Sequence, residues 1–254
     1  MKRPASLLVA AAERLRDELE PLVRRRGAGD ASTILVPIAY AWANHRAYLE
    51  QWARAGIEAL LVGMNPGPWG MGQTGVPFGD PWHVRHFLEI DGAVERPRNE
   101  HPRCPILGLE SPRGEVSGQR LWGGAKRCFG DAGSFFERFF VANYCPLLFL
   151  AGSGANVTPD KLPKEWMAPV IEACDEHLRS VVAALEPGRV VGVGAWAAKR
   201  AEKVLGNDQG SRRAAPFIAT LLHPSPASPA ANKGWFRQAR KQLAKIGCPW
   251  PDPR

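Results

Sequence analysis

Apolar positions along this chain recur with two alternating spacings, which predict helices and strands in turn. Between Pro4 and Arg26 the apolar residues follow a helical period, so an N-terminal helix is expected over residues 4–26. Further helices are predicted over residues 44–56, 81–90, 168–188, 196–206 and 230–247. Short buried strands are predicted at 57–64, 138–147, 189–195 and 216–226. Residues 91–134 are rich in Gly, Pro and Arg, and predict a long surface excursion.

Strands that alternate with helices indicate an α/β fold with a parallel sheet. We therefore expect a single domain over residues 1–254, in which helices flank a central four-stranded parallel sheet. Three of the four strands end in polar or Gly- and Pro-rich segments, with the sequences NPGPWG, NYCP and HPSP. Because ligands bind at the carboxyl ends of parallel strands, these three segments should converge on one site.

The residues at these strand ends suit a flat heterocyclic ligand. Asn65 and Asn143 each follow an apolar strand, His223 follows a third, and Phe78 lies in the loop after Asn65. An asparagine takes up no proton near neutral pH, but its amide can orient a water molecule or pair with an N–H and a C=O together. An aromatic ring can stack on the face of the same ligand.

The net charge of the chain indicates the kind of partner that it binds. The chain carries 33 Lys and Arg residues and a net charge of +8, which favours an acidic partner such as nucleic acid. A bias of the whole proteome toward basic residues is the alternative explanation. No apolar run approaches 18 residues, so we expect no contact with a membrane and a cytoplasmic location, with access to the nucleoid.

Signals for a metal or a cofactor are weak. The five cysteines are scattered without a C-x-x-C pair, and the sequences HVRH and HPRC each lack a second pair of ligands at suitable spacing. We expect no metal and no cofactor. The sequence GVGAWA after a strand resembles a dinucleotide-binding turn, yet small residues in a tight strand–helix turn explain it equally well.

Longer motifs resemble one family. The sequences GMNPGPWGMGQTGVPFG (63–79) and HPSPASPAANKGW (223–235) resemble the two signature motifs of single-strand-selective monofunctional uracil-DNA glycosylases. ANYCPL (142–147) resembles the family's middle segment, and GQRLWGGAKR (118–127) its linking loop. The likeness runs from about Ile57 to the last helix, and implies the uracil-DNA glycosylase fold.

The resemblance also implies residue roles. Asn65 would position the water that attacks the sugar, and His223 would donate a hydrogen bond to uracil O2 as negative charge develops there. Phe78 would stack on the base and Asn143 would read its Watson–Crick edge. The Met64 backbone and Gly67 would line the pocket beside the pyrimidine 5-position, where glycine leaves room for a substituent or a water.

The second motif should also contact DNA. Ser225 and Ser228 each precede a proline and can donate to phosphates around a flipped nucleotide, with Lys233 adding positive charge. The family often carries an arginine wedge in this stretch, whereas this chain has Ala227 and Ser228. We therefore expect weaker action on duplex DNA than on single strands.

Together these features predict a monomeric, monofunctional DNA repair glycosylase that acts on single- and double-stranded DNA. It would remove uracil and 5-modified uracils such as 5-hydroxymethyluracil and leave an abasic site. A non-catalytic nucleic-acid-binding α/β module is the main alternative. A nucleotide-dependent enzyme that uses the GVGAWA turn is the third.

Overall fold

The computed structural model describes residues 3–206 and 216–254, so residues 1, 2 and 207–215 of the expected domain lie outside the described part. The helices are α1 Pro4–Leu22, α2 Pro37–Tyr40, α3 Trp42–Trp52, α4 Met71–Thr74, α5 Pro81–His86, α6 Val116–Phe129, α7 Ala132–Phe136, α8 Lys164–Leu185, α9 Ala195–Leu205, α10 Pro229–Asn232 and α11 Trp235–Lys245. The strands are β1 Thr33–Leu35, β2 Ala59–Gly63, β3 Phe139–Asn143, β4 Leu148–Leu150, β5 Asn156–Val157, β6 Arg189–Val193 and β7 Phe217–Leu221.

The predicted four-stranded parallel sheet is confirmed. Its strands lie in the order β3-β2-β6-β7, and every neighbouring pair is parallel. Gly63 at the end of β2 pairs with Asn143 at the end of β3, and Val193 at the end of β6 pairs with Leu221 at the end of β7. The four loops that follow therefore leave the sheet at the same edge, among them the three segments that the sequence predicts to converge.

Helices flank this sheet. The long helix α8 packs along α1, while α9 packs on β6 and β7. The N-terminal helix α1 ends at Leu22 rather than at the predicted Arg26. Pro21 provides no N–H for the last turn, and the apolar period stops before the three arginines 24–26 and the left-handed Gly27.

A second, smaller sheet was not predicted. It is antiparallel, with the order β1-β4-β5. Strands of two or three residues are too short to show a period of two, and β4 begins at Leu148, directly after the predicted strand 138–147.

The predicted surface excursion over residues 91–134 is wrong in its second half. Helix α6 occupies Val116–Phe129, and its side chains at Leu121, Trp122, Ala125, Cys128 and Phe129 are buried at helical spacing. Three glycines in this helix lowered its apparent helical propensity, but two of them are close-packing positions. A Cβ on Gly118 would collide with the Phe78 carbonyl oxygen, and one on Gly124 would lie 3.0 Å from Phe236 and Trp250.

The last predicted helix is interrupted. Residues 229–232 form the short α10, and α11 begins at Trp235 after Gly234, whose φ of 101° is in the left-handed region that favours glycine. This break turns the chain between the segment that follows β7 and the helix that returns to the core.

A cluster of aromatic residues fixes α6 against the sheet. Trp122 is fully buried, lies edge-on to Phe135, and donates its indole N–H to the Pro77 carbonyl at 3.2 Å. Burial of a side chain of this size contributes about 3–5 kcal/mol, measured as the cost of its truncation to alanine. The core thereby holds the loop that precedes Phe78.

Candidate active site

The loop after β2 is held rigidly by its own polar side chains. Gln73 is fully buried, donates to the carbonyls of Pro68 at 2.9 Å and Pro105 at 3.1 Å, and accepts from the Leu107 N–H at 2.8 Å. The Thr74 hydroxyl donates to the Gly79 carbonyl at 3.0 Å. Buried amide groups that are fully paired fix a single backbone course. Sequence reasoning did not single out Gln73.

Asn65 lies in the first turn of this loop and is half-buried. Its Nδ2 donates to the neighbouring Pro66 carbonyl at 3.3 Å, the only hydrogen bond of this side chain among the described residues. This hydrogen bond restrains the Nδ2 group of the Asn65 amide, while its Oδ1 can accept a hydrogen bond from a ligand or a water molecule.

Phe78 is buried against the end of β2. A Cβ on Gly63 would lie 2.6 Å from its ring, so glycine is required for this approach. Phe78 itself has a φ of 53°, an uncommon conformation for a residue with a side chain. Strain of this kind tends to occur where the surrounding structure holds a functional side chain in place.

Asn143 faces Phe78 across the strand end. Its Nδ2 donates to the Met71 sulfur at 3.1 Å, while its Oδ1 is buried without a hydrogen-bond partner among the described residues. A buried carbonyl without a partner costs about 1–3 kcal/mol. Such an acceptor is suited to a ligand N–H.

His223 follows β7 and is fixed in one tautomer. Its Nδ1 accepts the Ser225 backbone N–H at 3.0 Å, so the neutral ring carries its proton on Nε2. Burial lowers the pKa of His223 to about 4. The ring is therefore neutral near pH 7 and has one N–H donor to offer.

One pocket of about 440 Å³ joins these residues. Its walls include Met64, Asn65, Gly67, Phe78, Asn143, His223 and Ser225. All the residues that the resemblance assigns to base binding and catalysis thus lie around one space. A wider groove of about 680 Å³ lies between α1 and residues 95–99, and none of the predicted site residues lines it.

The space beside Gly67 is not open, in contrast to the expectation from the sequence. A Cβ on Gly67 would collide with Oε1 of Glu115, and one on Gly70 would collide with Oε2. Glu115 lines the same pocket, and its Oε2 is buried without a hydrogen-bond partner among the described residues. Sequence reasoning missed Glu115 because it lies in the segment that was predicted to be a surface excursion.

A second carboxyl group, Asp80, explains how Glu115 is held. Asp80 is 1% exposed and accepts from the backbone N–H of Glu115 at 3.0 Å, from Gln119 at 3.1 Å and from His83 Nδ1 at 2.7 Å. Burial alone would raise the pKa of Asp80, but the hydrogen bonds from His83 and from the Glu115 N–H, with the His83 charge, lower it below its ordinary value. Burial, and then the negative charge of Asp80, raise the pKa of Glu115 to about 7.

The predicted DNA-contacting serines shape the loop after β7. Ser225 Oγ accepts the Ala227 N–H at 3.1 Å, and Ser228 Oγ accepts the Ala231 N–H at 3.3 Å and so caps α10. Each hydroxyl keeps its own proton to donate. Lys233 and Ala227 are both exposed on this loop.

Arg120 of α6 holds this loop in place, a role that no pattern in the sequence predicts. Its guanidinium donates to the carbonyls of Pro224 at 2.9 Å and Ser225 at 3.3 Å, and to Asn232 Oδ1 at 2.8 Å. A planar group with five donors is well suited to three acceptors on one curved loop. At the opposite rim, the Arg113 guanidinium lies 4.5 Å from the centre of the Trp69 ring.

The weaker signals have structural explanations. A Cβ on Gly192 would collide with the backbone of Ala198, so the GVGAWA turn is needed for close packing of α9 on β6. The His83 side chain is hydrogen-bonded to Asp80, and the backbone of His101 forms an isolated β-bridge with that of Cys104. Among the described residues no three His, Cys, Asp or Glu side chains are grouped to hold a metal ion. No helix in the described part is long and apolar enough to cross a membrane.

The chain is similar to known proteins over most of its length. A family model described as the uracil DNA glycosylase superfamily matches residues 52–244. The single-strand selective monofunctional uracil DNA glycosylase of Bos taurus is 44% identical over 234 residues, which are 92% of this chain and 84% of that protein. The Rattus norvegicus protein of the same name is 46% identical over 211 residues, 83% of this chain and 74% of that one. Among solved structures, the crystal structure of WT Pedobacter heparinus SMUG2 matches with a TM-score of 0.58 and 18% identity, over 91% of this chain and 96% of that chain, which shows a common fold.

Proposed function

Because the chain belongs to the single-strand selective monofunctional family within the uracil-DNA glycosylase superfamily, we propose that it hydrolyses the N-glycosidic bond of uracil in DNA. The resemblance predicted from the motifs is thereby confirmed, as is the fold expected from it. The product is an abasic site, which places the enzyme in base excision repair.

The observation that carries the proposal is that Asn65, Phe78, Asn143 and His223 line one pocket at the carboxyl edge of the sheet. The acceptor Oδ1 of Asn143 has no partner among the described residues and suits the uracil N3–H. The Nδ2 group of Asn143 would then donate a hydrogen bond to uracil O4. A base reaches such a pocket only when the nucleotide is flipped out of the DNA.

Catalysis follows from the charges that develop as the bond breaks. Uracil leaves as an anion, and the neutral His223 aims its one N–H donor at the charge on O2. Loss of one fixed donor of this type typically costs about 3–4 kcal/mol of transition-state stabilisation. The sugar becomes cationic, so the attacking water needs orientation more than deprotonation, and an asparagine at position 65 suffices. No lysine nucleophile is needed, in keeping with a monofunctional enzyme.

We also propose that the enzyme releases 5-hydroxymethyluracil. Glycine at position 67 keeps a side chain of its own away from the pyrimidine 5-position, and the polar group nearest to that glycine is the Glu115 carboxyl. A polar substituent can pair with such a group. The methyl group of thymine cannot, and it would leave a buried polar group without a partner, at a cost of about 1–3 kcal/mol.

We also propose that single-stranded DNA is the better substrate. Ser225, Ser228 and Lys233 would contact the phosphates around the flipped nucleotide, through the two hydroxyl protons and the exposed ammonium group. Ala227 at the exposed tip of the loop is too small to fill the stack that a flipped base vacates. The duplex thus loses stacking energy that this chain does not replace. We further propose that the protein works as a monomer at the nucleoid.

The first test is base release from a labelled single-stranded oligonucleotide that carries one uracil. The reaction is run without added metal and then treated with hot alkali, which cleaves an abasic site. The wild type should give alkali-dependent cleavage, and Asn65→Ala should lower the rate by about two orders of magnitude or more. The exposed Asn99, remote from the pocket, provides the matched control Asn99→Ala, which should retain the wild-type rate.

The same assay separates the alternatives. A folded wild type that binds the oligonucleotide but releases no base would be a nucleic-acid-binding module. Cleavage without alkali treatment would contradict a monofunctional enzyme. Duplex turnover that equals or exceeds single-strand turnover would contradict the proposed preference.

A further inference from the structure

Glu115 is an acidic residue in a pocket that must release an anion. It lines the pocket together with Asn65, Asn143 and His223, yet cleavage of the glycosidic bond by the water held at Asn65 and the donor of His223 needs no carboxyl group. Its side chain is drawn inward, with one carboxyl oxygen buried and without a partner among the described residues. Burial of a carboxyl group with an unsatisfied oxygen is destabilising, so a purely structural role does not explain it.

The position of the carboxyl group is fixed from two sides. Oε1 lies where a Cβ on Gly67 would be, and Oε2 lies where a Cβ on Gly70 would be. The Glu115 backbone is tied down by its N–H, which Asp80 accepts at 3.0 Å. Two glycines and one buried carboxylate thus direct this group to the stretch of wall beside Gly67.

The charges around Glu115 favour its neutral form. Asp80, at the start of α5, is buried, but hydrogen bonds from His83 and from the Glu115 N–H lower its pKa, and its negative charge faces Glu115. The cation of Arg113 is engaged by the Trp69 ring, and His223 in the same pocket is neutral because burial lowers its pKa to about 4. Burial and Asp80 raise the pKa of Glu115 to about 7, so the carboxyl group retains its proton below that pH. A neutral carboxyl group offers both a donor and an acceptor, and does not repel a departing anion.

We propose that Glu115 is a specificity-determining residue, whose carboxyl group beside Gly67 pairs with a hydroxyl group carried on carbon 5 of the flipped pyrimidine. The inference rests on the proposed function, because it takes the pocket to hold a uracil ring with its 5-position toward Gly67. A hydroxymethyl group would satisfy the Glu115 oxygen that is otherwise unpaired. Unsubstituted uracil leaves this position to a water molecule, and the thymine methyl group can do neither.

The test compares the release of 5-hydroxymethyluracil and uracil from the same single-stranded sequence. For each variant the ratio of the two kcat/KM values is measured, which cancels any general loss of stability or DNA affinity. Glu115→Gln keeps the size, a donor and an acceptor, while Glu115→Met keeps the length but removes all hydrogen bonding. Glu137→Gln, at an exposed carboxylate near the opposite end of β3, is the matched control.

We expect Glu115→Gln and Glu137→Gln to stay within about threefold of the wild-type ratio, and Glu115→Met to lower it by about three- to tenfold or more. If the methionine variant does not fold, Glu115→Ala gives the same comparison without added bulk. An unchanged ratio in Glu115→Met or Glu115→Ala, or an equal fall in the glutamine variant, would overturn the assignment. A wild type that releases uracil but not 5-hydroxymethyluracil also overturns it. Release of neither base is a failure of the proposed function itself.

Discussion

At the residue scale, one backbone hydrogen bond decides what His223 can do. The Ser225 N–H occupies Nδ1, so a proton can be added there only if that bond is broken. Burial also lowers the pKa of the His223 ring to about 4. A neutral imidazole with its N–H on Nε2 is the result, and in the proposed mechanism this N–H stabilises negative charge on the leaving base without a proton transfer.

Replacement of Gly67 by tyrosine should separate the two proposed substrates. The new Cβ collides with Glu115 Oε1, so the tyrosine side chain must displace this carboxyl group and take its place in the pocket. Gly67→Tyr should lower kcat/KM for 5-hydroxymethyluracil by about tenfold or more relative to uracil, because the new ring excludes the substituent. Gly67→Ala, with the smallest side chain that meets the same oxygen, should give an intermediate ratio. An equal loss on both bases would contradict this account of the pocket.

Residues at strand ends were predictable, whereas those placed by tertiary packing were not. Asn65, Asn143 and His223 each end an apolar run, and parallel strands bring such ends together. Glu115 belongs to no such pattern, because its burial depends on two glycines far away in the chain. Arg120 likewise acts through backbone carbonyls, which leave no trace in the sequence.

At the element scale, α6 connects the two halves of the site. Its first residue, Val116, lines the pocket, and its buried Trp122 holds the Pro77 carbonyl of the loop that carries Phe78. From the same helix, Arg120 reaches the loop after β7. The sequence obscured this helix because its glycines, which close packing requires, weaken the helical signal.

Loss of Arg120 should loosen the loop that carries His223 and the two serines. Arg120→Ala removes three hydrogen bonds to Pro224, Ser225 and Asn232, so we expect kcat/KM on uracil-containing single strands to fall by about tenfold or more. Arg120→Lys should recover only part of this loss, since an ammonium group cannot span three acceptors. The measurement is single-turnover base release together with oligonucleotide affinity.

A matched control lies on the same helix. Arg127 is exposed and stacks on Phe236, away from the loop, so Arg127→Ala removes one positive charge without releasing His223. Its single-turnover rate should stay within about threefold of the wild type. Equal losses in the two alanine variants would mean that the positive charge of α6, and not the hydrogen bonds of Arg120 to the loop, supports activity.

At the scale of the whole molecule, burial of ionisable groups links stability to pH. Burial lowers the pKa of His45, His177 and His223 from 6.5 to about 4, while it raises that of Glu115 from 4.5 to about 7. The unfolded chain therefore binds more protons at the three histidines between pH 6.5 and 4, so their contribution to stability is lost on acidification. Glu115 has the opposite sign, since the folded chain holds its proton between pH 4.5 and 7 and gains stability as the pH falls.

The histidines outweigh the glutamate between pH 7 and pH 5. On going from pH 7 to pH 5, each histidine should lower the free energy of unfolding by at most about 2 kcal/mol. Glu115 should raise it by about 2 kcal/mol, so the net loss of stability is about 3–4 kcal/mol. Urea unfolding at the two pH values measures this difference. His177→Gln should reduce the acid-induced loss by about 2 kcal/mol even if the variant is less stable at both pH values. His86→Gln removes an exposed histidine and should leave the difference as in the wild type, so equal changes in these two variants would contradict burial as the cause.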